Sequence, residues 1–154
     1  MGKDKSSAAL KHLIDLGAEV VAVVDSSYDG PRSIGSGLYD ITNSFLLPIC
    51  SDTQIYEHLA KTKTIDLNLE NIDMVVSFLF PKRIKSPLIN LSRIGCINFH
   101  SAPLPEYRGW GVYNAAILNN EKHWGVSAHF VDENFDTGDI IKVNRFNIDP
   151  KKET

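Results

Sequence analysis

Gly95-Cys96-Ile97-Asn98-Phe99-His100-Ser101-Ala102-Pro103-Leu104-Pro105 is the stretch on which the fold turns. Residues Gly95 to Phe99 form a short apolar run of strand length, and His100 stands at its C-terminal end. The prolines that follow each fix φ and remove a donor, so the chain leaves the strand through a stiff turn. Working outward, Asp73 to Phe80 is a second strongly apolar run, Met74-Val75-Val76-Ser77-Phe78-Leu79-Phe80. A short helix is predicted between the two, around Pro87 to Ser92, and another after them, from Gly111 to Asn119. Strands alternating with helices predict an α/β fold with a mostly parallel sheet covered on both faces.

The flanks extend the pattern. Ser6 to Leu16 carries Ala9, Leu10, Leu13, Ile14 and Leu16 near a 3.6-residue period, with Gly17 placed to stop a helix. Val20 to Val24 is a run typical of a strand buried on both faces. Asp25 to Ser44 is rich in Ser, Gly, Asp and Tyr and reads as one long loop. Leu46 to Cys50 reads as a short strand, after which Ser51 or Asp52 caps a helix reaching about Lys61. Trp124 to Val131 and Gly138 to Phe146 read as two further strands.

Composition sets limits on function. At 154 residues, 43% hydrophobic and 23% charged, the chain fits one soluble globular domain spanning 1–154. A net charge of −3 without a basic run gives no strong nucleic-acid signal, because such affinity depends on neutralising phosphates. No run approaches the roughly 18 apolar residues of a membrane span, and no signal peptide is visible. A cytoplasmic protein is expected. Cys50 and Cys96 each sit in an apolar run and are read as buried thiols; no cysteine or histidine spacing suggests a metal.

The polar residues at the strand ends carry the chemistry. In open α/β sheets ligands bind beyond the carboxyl ends of the strands. Asn98 and His100 are expected at such a rim, and so is the loop holding Asp132, Glu133 and Asp136. An Asn amide can hold a carbonyl oxygen as negative charge develops on it. Histidine moves protons near neutral pH, and a carboxylate fixes its tautomer. Each residue alone also has a structural reading: a strand-end His or Asn satisfying backbone groups, or Asp136-Thr137-Gly138 as an ordinary turn. Other chemistries fit less well. No GxSxG elbow is present, and Gly35-Ser36-Gly37 does not complete a dinucleotide-binding GxGxxG.

Taken with Tyr107-Arg108-Gly109 and Gly125-Val126-Ser127-Ala128-His129-Phe130-Val131-Asp132, the Asn98-x-His100 and Asp136-x-Gly138 pair resembles the formyltransferase family. The resemblance covers most of the chain. It implies a Rossmann-like α/β fold with a mostly parallel twisted sheet and helices on both faces, here lacking the family's first strand and final helix. The catalytic domain would then be truncated at both ends. It also implies a formyl group carried by 10-formyltetrahydrofolate, an amine acceptor, and Asn98, His100 and Asp136 as catalytic residues. The run Ser77 to Ile84, with Phe78, Phe80, Lys82 and Ile84, resembles one pterin-binding segment of the family. The loop with Asp132 and Glu133 resembles the other. Ala102-Pro103-Leu104-Pro105-Glu106-Tyr107-Arg108-Gly109 is most similar to the amino-sugar branch, so a nucleotide-linked amino sugar is the expected acceptor. Methionyl-tRNA as acceptor, a formyltetrahydrofolate hydrolase and an inactive truncated relative are the alternatives. A homodimer is an open possibility for partners.

Overall fold

The computed structural model describes residues 2–27, 37–63 and 65–148. The chain divides into two compact units, residues 1–72 with 80–82, and residues 73–79 with 83–154.

In the first unit the elements are α1 (Gly2–Asp15), β1 (Val23–Val24), α2 (Gly37–Ser44), β2 (Ile49–Cys50) and α3 (Asp52–Leu59). Helix α1 ends where expected, with Gly17 at φ 88° accepting the left-handed turn that a Cβ would oppose. Helix α3 has a full capping box. Ser51 Oγ accepts from the Gln54 backbone N–H, and the Gln54 side chain accepts from the Ser51 N–H.

Two expectations change in this unit. The Val20–Val24 strand shrinks to a two-residue parallel ladder, Val23↔Ile49 and Val24↔Cys50, and its residues are at most half-buried. A strand is only as long as its partner, and β2 supplies two rungs. The segment read as a loop from Asp25 to Ser44 contains helix α2; the stretch 28–36 lies outside the described residues. Ser, Thr and Asn weaken helix propensity, but α2 packs on α1 and buries Thr42 to 1% exposure, with the Thr42 hydroxyl donating to the Tyr39 carbonyl.

The second unit holds β3 (Met74–Phe78), α4 (Ser86–Ile89), β4 (Gly95–His100), α5 (Val112–Leu118), β5 (His123–Phe130) and β6 (Ile140–Asn147). Its four strands lie in the order β3-β4-β5-β6. The α/β class read from the sequence holds. Strands β3 and β4 are parallel, whereas β5 runs antiparallel to β4 and β6 antiparallel to β5. Ala102, Val112, Ala116 and Trp124 form a buried cluster that fastens α5 and the proline turn, with Tyr107 and Ile148 packed against it.

Both cysteines are buried, as expected. Burial pushes each thiol up to about 11, so neither carries thiolate at neutral pH.

Candidate active site

The register of the second sheet sets three polar residues side by side. Ser77 of β3 pairs with Asn98 of β4, and Asn98 pairs with His129 of β5. Because side chains alternate across a strand, His100 shares the Asn98 face, two residues along. Ser77 Oγ donates to Asn98 Oδ1 at 2.8 Å, which turns the Asn98 amide so that Nδ2 lies 3.1 Å from His129 Nε2. The Asn98 carbonyl is thus engaged, and its N–H₂ end is the one that can donate to a ligand.

The turn after β4 is clamped from β5. Ser127 Oγ donates to the Ala102 carbonyl at 2.8 Å and accepts from the Leu104 N–H at 2.9 Å; Trp124 Nε1 donates to the Ser101 carbonyl. This brings the Tyr107 carbonyl to 2.7 Å from His100 Nε2. A carbonyl can only accept, so Nε2 carries the hydrogen. His100 Nδ1 then faces Asp136 Oδ2 at 3.6 Å, and a second proton placed there meets a carboxylate.

Asp136 stands between two imidazoles. Its Oδ1 is 3.4 Å from His129 Nε2, and its Oδ2 accepts from the Gly109 N–H at 2.9 Å. Gly109 sits at φ 80°, and this left-handed geometry, cheap only for glycine, aims the amide. Asp136 itself adopts φ 54°, a conformation that costs a non-glycine residue about 1 kcal/mol or more and tends to cluster at functional sites. Burial pushes the Asp136 carboxyl up. The His129 hydrogen bond, the Gly109 N–H and the charges of His100 and His129 outweigh it, and the net shift is downward.

His129 is 2% exposed, and its Nδ1 lies 2.8 Å from the Phe130 carbonyl, which places a hydrogen on that nitrogen. Nε2 is therefore either a lone pair that receives the Asn98 N–H or an N–H that points to Asp136. The proton count on His129 selects which of the two it holds.

Asn98, His100 and Asp136 therefore meet at the C-terminal end of β4, where His100 is the last residue of the strand, but the loop that carries Asp136 arrives by an unexpected route. Strand β5 is antiparallel to β4, so the loop after it leaves beside Cys96, where Val131 N–H donates to the Cys96 carbonyl. Asp136 reaches His100 by folding back over the sheet face. Gly138 makes that return possible: a Cβ there would lie 1.9 Å from the Phe130 carbonyl oxygen.

The residues expected to bind cofactor are placed as follows. Phe78 is half-buried at the end of β3, and Ile84 is buried. Phe80 and Lys82 belong to the first unit, where Lys82 pairs with Asp52 at 2.8 Å. Asp132 accepts from Thr137 Oγ1 and from the Asn134 N–H, and exposed Glu133 pairs with Arg83 at 3.5 Å. The side chains of Lys82, Asp132 and Glu133 are thus already engaged within the protein.

Residues 8–154 match the family model described as formyl transferase. The chain belongs to that family. Among curated proteins it is 32% identical, over 96% of its length, to the methionyl-tRNA formyltransferase of Desulforamulus reducens, of which it covers 47%. It is 30% identical over 97% of its length to that of Lachnospira eligens, of which it covers 48%. The chain spans about half the length of the curated relatives it matches. Among solved structures, phosphoribosylglycinamide formyltransferase from Bacillus halodurans superposes with a TM-score of 0.75 at 21% identity, covering 99% of this chain and 79% of that one, which speaks to fold. The sugar 3N-formyl transferase WlaRD, solved with dTDP and 5-N-formyl-THF, gives 0.64 at 26% identity, covering 93% of this chain and 48% of that one. Among the described residues, no helix is long and apolar enough to cross a membrane.

Two residues of this site, Ser77 and His129, are not among the candidates read from the sequence. Ser77 is the lone polar group in apolar β3, and that interruption is the signal that could have found it; His129 shares β5 with His123 and Ser127 and carries no such signal.

Proposed function

We propose that this chain moves a formyl group from 10-formyltetrahydrofolate to an amine, with residues 1–154 as its cytoplasmic catalytic domain. The observation that carries the reading is the Asp136 carboxylate set between His100 and His129, beside an Asn98 amide whose donor end Ser77 turns toward His129. A formyl carbonyl needs a donor for its oxygen and proton carriers for the exchanging nitrogens, and this donor set fits it. The folate supplies an activated formyl carbon. Asn98 N–H₂ donates to the formyl oxygen as charge develops there, and so does the Nδ1–H of protonated His100, the hydrogen not given to the Tyr107 carbonyl. Asp136, held in its charged form, draws the proton from the attacking amine, directly or through a water, and returns it to the departing nitrogen.

Phe78 and Ile84 are assigned to cover the pterin, and the Asp132–Glu133 loop to read its edge through backbone groups, since both carboxylates are engaged elsewhere. For the acceptor, the Ala102-to-Gly109 wording and the likeness to a sugar formyl transferase support a nucleotide-linked amino sugar. The names of the curated relatives support methionyl-tRNA as the second reading.

The test is formyl transfer by the purified chain from 10-formyltetrahydrofolate to dTDP-linked amino sugars and to methionyl-tRNA in parallel. His100→Ala and Asp136→Ala should abolish transfer and leave binding of 5-formyltetrahydrofolate largely intact. Retention of most turnover in either variant would overturn the assigned roles. Formate release without an acceptor would assign the chain to the hydrolases instead.

A further inference from the structure

Tyr107 lies in the turn after β4, and every one of its polar groups is hydrogen-bonded. Its N–H donates to the Pro103 carbonyl at 3.1 Å, and its carbonyl accepts from His100 Nε2 at 2.7 Å. Its hydroxyl donates to Glu121 Oε1 and accepts from Asn119 Nδ2 at 3.1 Å. Its ring lies 4.8 Å from that of Trp124, which is itself tied to the Ser101 carbonyl. The two hydroxyl partners are fixed in turn at the end of α5. The Asn119 N–H donates to the Ala115 carbonyl at 2.9 Å and the Glu121 N–H to the Ala116 carbonyl at 3.0 Å. Packing alone would use only the ring. A half-buried tyrosine hydroxyl can meet water; here a carboxylate takes its hydrogen, which makes the bond charge-assisted and strong.

The chain just beyond has no such hold. Arg108 is exposed, and Gly109 and Gly111 take φ of 80° and 72° with nothing within 4 Å of where a Cβ would stand. Tyr107 is thus the anchored side chain from which the Gly109 N–H reaches Asp136.

We infer that the Tyr107–Glu121 pair positions His100: by holding the Tyr107 carbonyl in place, it keeps the ring hydrogen on Nε2 and leaves Nδ1 toward Asp136. A neutral imidazole has one N–H, and two acceptors compete for it. The Asp136 carboxylate is the stronger acceptor by charge. The Tyr107 carbonyl prevails by distance, at 2.7 Å from Nε2 against 3.6 Å between Nδ1 and Asp136. A carbonyl free to drift loses that advantage, and the hydrogen passes to Nδ1. The protonated ring, which donates from Nδ1, needs the same carbonyl at Nε2, so the anchor serves both proton states. The inference rests on the proposed formyl transfer only for its kinetic consequence, because the tautomer belongs to the chain without substrate.

Nitrogen-15 NMR of His100, at a pH where the ring is neutral, reads the tautomer with no folate or amine present. The unmodified chain should show the hydrogen on Nε2. Tyr107→Phe keeps the ring against Trp124 and deletes the hydroxyl; it should move the balance toward Nδ1–H by about five- to tenfold, the weight of one net hydrogen bond. In the same variant kcat should fall about tenfold, with KM for 10-formyltetrahydrofolate within about twofold. Glu121→Leu should do the same, and the double variant should be no worse than either single one, since both remove one bond. Glu121→Gln keeps an oxygen acceptor and should restore both readings to within about threefold of the unmodified chain. Glu121→Leu, at a half-exposed turn, carries the test should Tyr107→Phe fail to fold. A folded variant with lowered thermal stability and an unmoved tautomer overturns the inference, because the pair is then a structural tie only. So does a Glu121→Gln variant as impaired as Glu121→Leu. A tautomer that moves as expected in a chain that transfers formyl to no amine would sink the transfer reading and leave the anchor standing.

Discussion

Asp132 and Asp136 sit four residues apart in the loop between β5 and β6, and their surroundings differ in kind. Asp132 faces its own loop: it accepts from the Thr137 hydroxyl and the Asn134 N–H, and these hold its carboxyl below the usual range. Asp136 faces the sheet, lies between His100 and His129, and is held low despite burial. Two carboxylates shifted in the same direction thus do different things. One ties the loop into a shape, and the other is what the shape delivers. Acidity alone does not identify a catalytic group; the partners that cause it do.

The largest expected effect separates the two residues directly. Asp136→Asn keeps the size of the side chain but removes its charge, and formyl transfer should fall by about 10²–10⁴-fold, the range of lost acid–base participation. Asp132→Asn should stay within a few-fold on the same steady-state assay. Equal losses in the two variants would break the comparison. The pair also differs with pH. Because the folded-state value of Asp136 lies below its unfolded value, its charge stabilises the fold above the ordinary carboxylate range, and this is lost as pH falls through the lowered value. Acid unfolding should therefore be less steep in Asp136→Asn. Asp132, being largely solvated, should leave the acid limb nearly unchanged.

Next in size is Gly138→Ala. A Cβ placed 1.9 Å from the Phe130 carbonyl oxygen forces the loop to move. The expected loss is about 1–3 kcal/mol in thermal unfolding, together with a drop in transfer rate, since the same loop presents Asp136. Stability lost with transfer kept would show that Asp136 does not need this loop geometry.

His129→Gln should cost less, about tenfold in transfer, as expected of a residue that positions others rather than touching the formyl group. The distinguishing readout is the Asp136 carboxyl, followed by NMR titration. With the His129 hydrogen bond and charge removed, its pKa should move up toward the ordinary value. An unmoved titration would place His129 outside the network.

Much of this arrangement was legible in the sequence. The strands announce themselves as β-branched and apolar runs, and the Asn98, His100 and Asp136 trio stands out by residue type. What was not legible is strand direction. Nothing in Trp124 to Val131 states that it runs antiparallel to β4, so that the loop after it starts beside Cys96 and reaches His100 only by folding back. Register was hidden for the same reason. That Ser77, Asn98 and His129 line up across three strands follows from pairing, which is a property of the whole sheet. Helix α2 was missed because its Ser, Thr and Asn residues argue for a loop, and only packing on α1 overrides them.

The smallest effect sharpens the opening contrast most. Thr137→Val is close to isosteric but deletes the hydroxyl that donates to both oxygens of Asp132, at 2.7 and 2.8 Å. Thr137 and Asp132 are solvated, so water replaces most of the bond, and the expected loss is at most about 0.5 kcal/mol. The Asp132 carboxyl should titrate higher, because the Thr137 bond is the largest cause of its lowering. Asp136 is next to Thr137 in sequence but is held by groups from β4, β5 and the Gly109 turn. Its titration should therefore stay fixed while that of Asp132 moves. If both move together, the loop is a single electrostatic unit, and the division between a residue that shapes it and a residue it delivers fails.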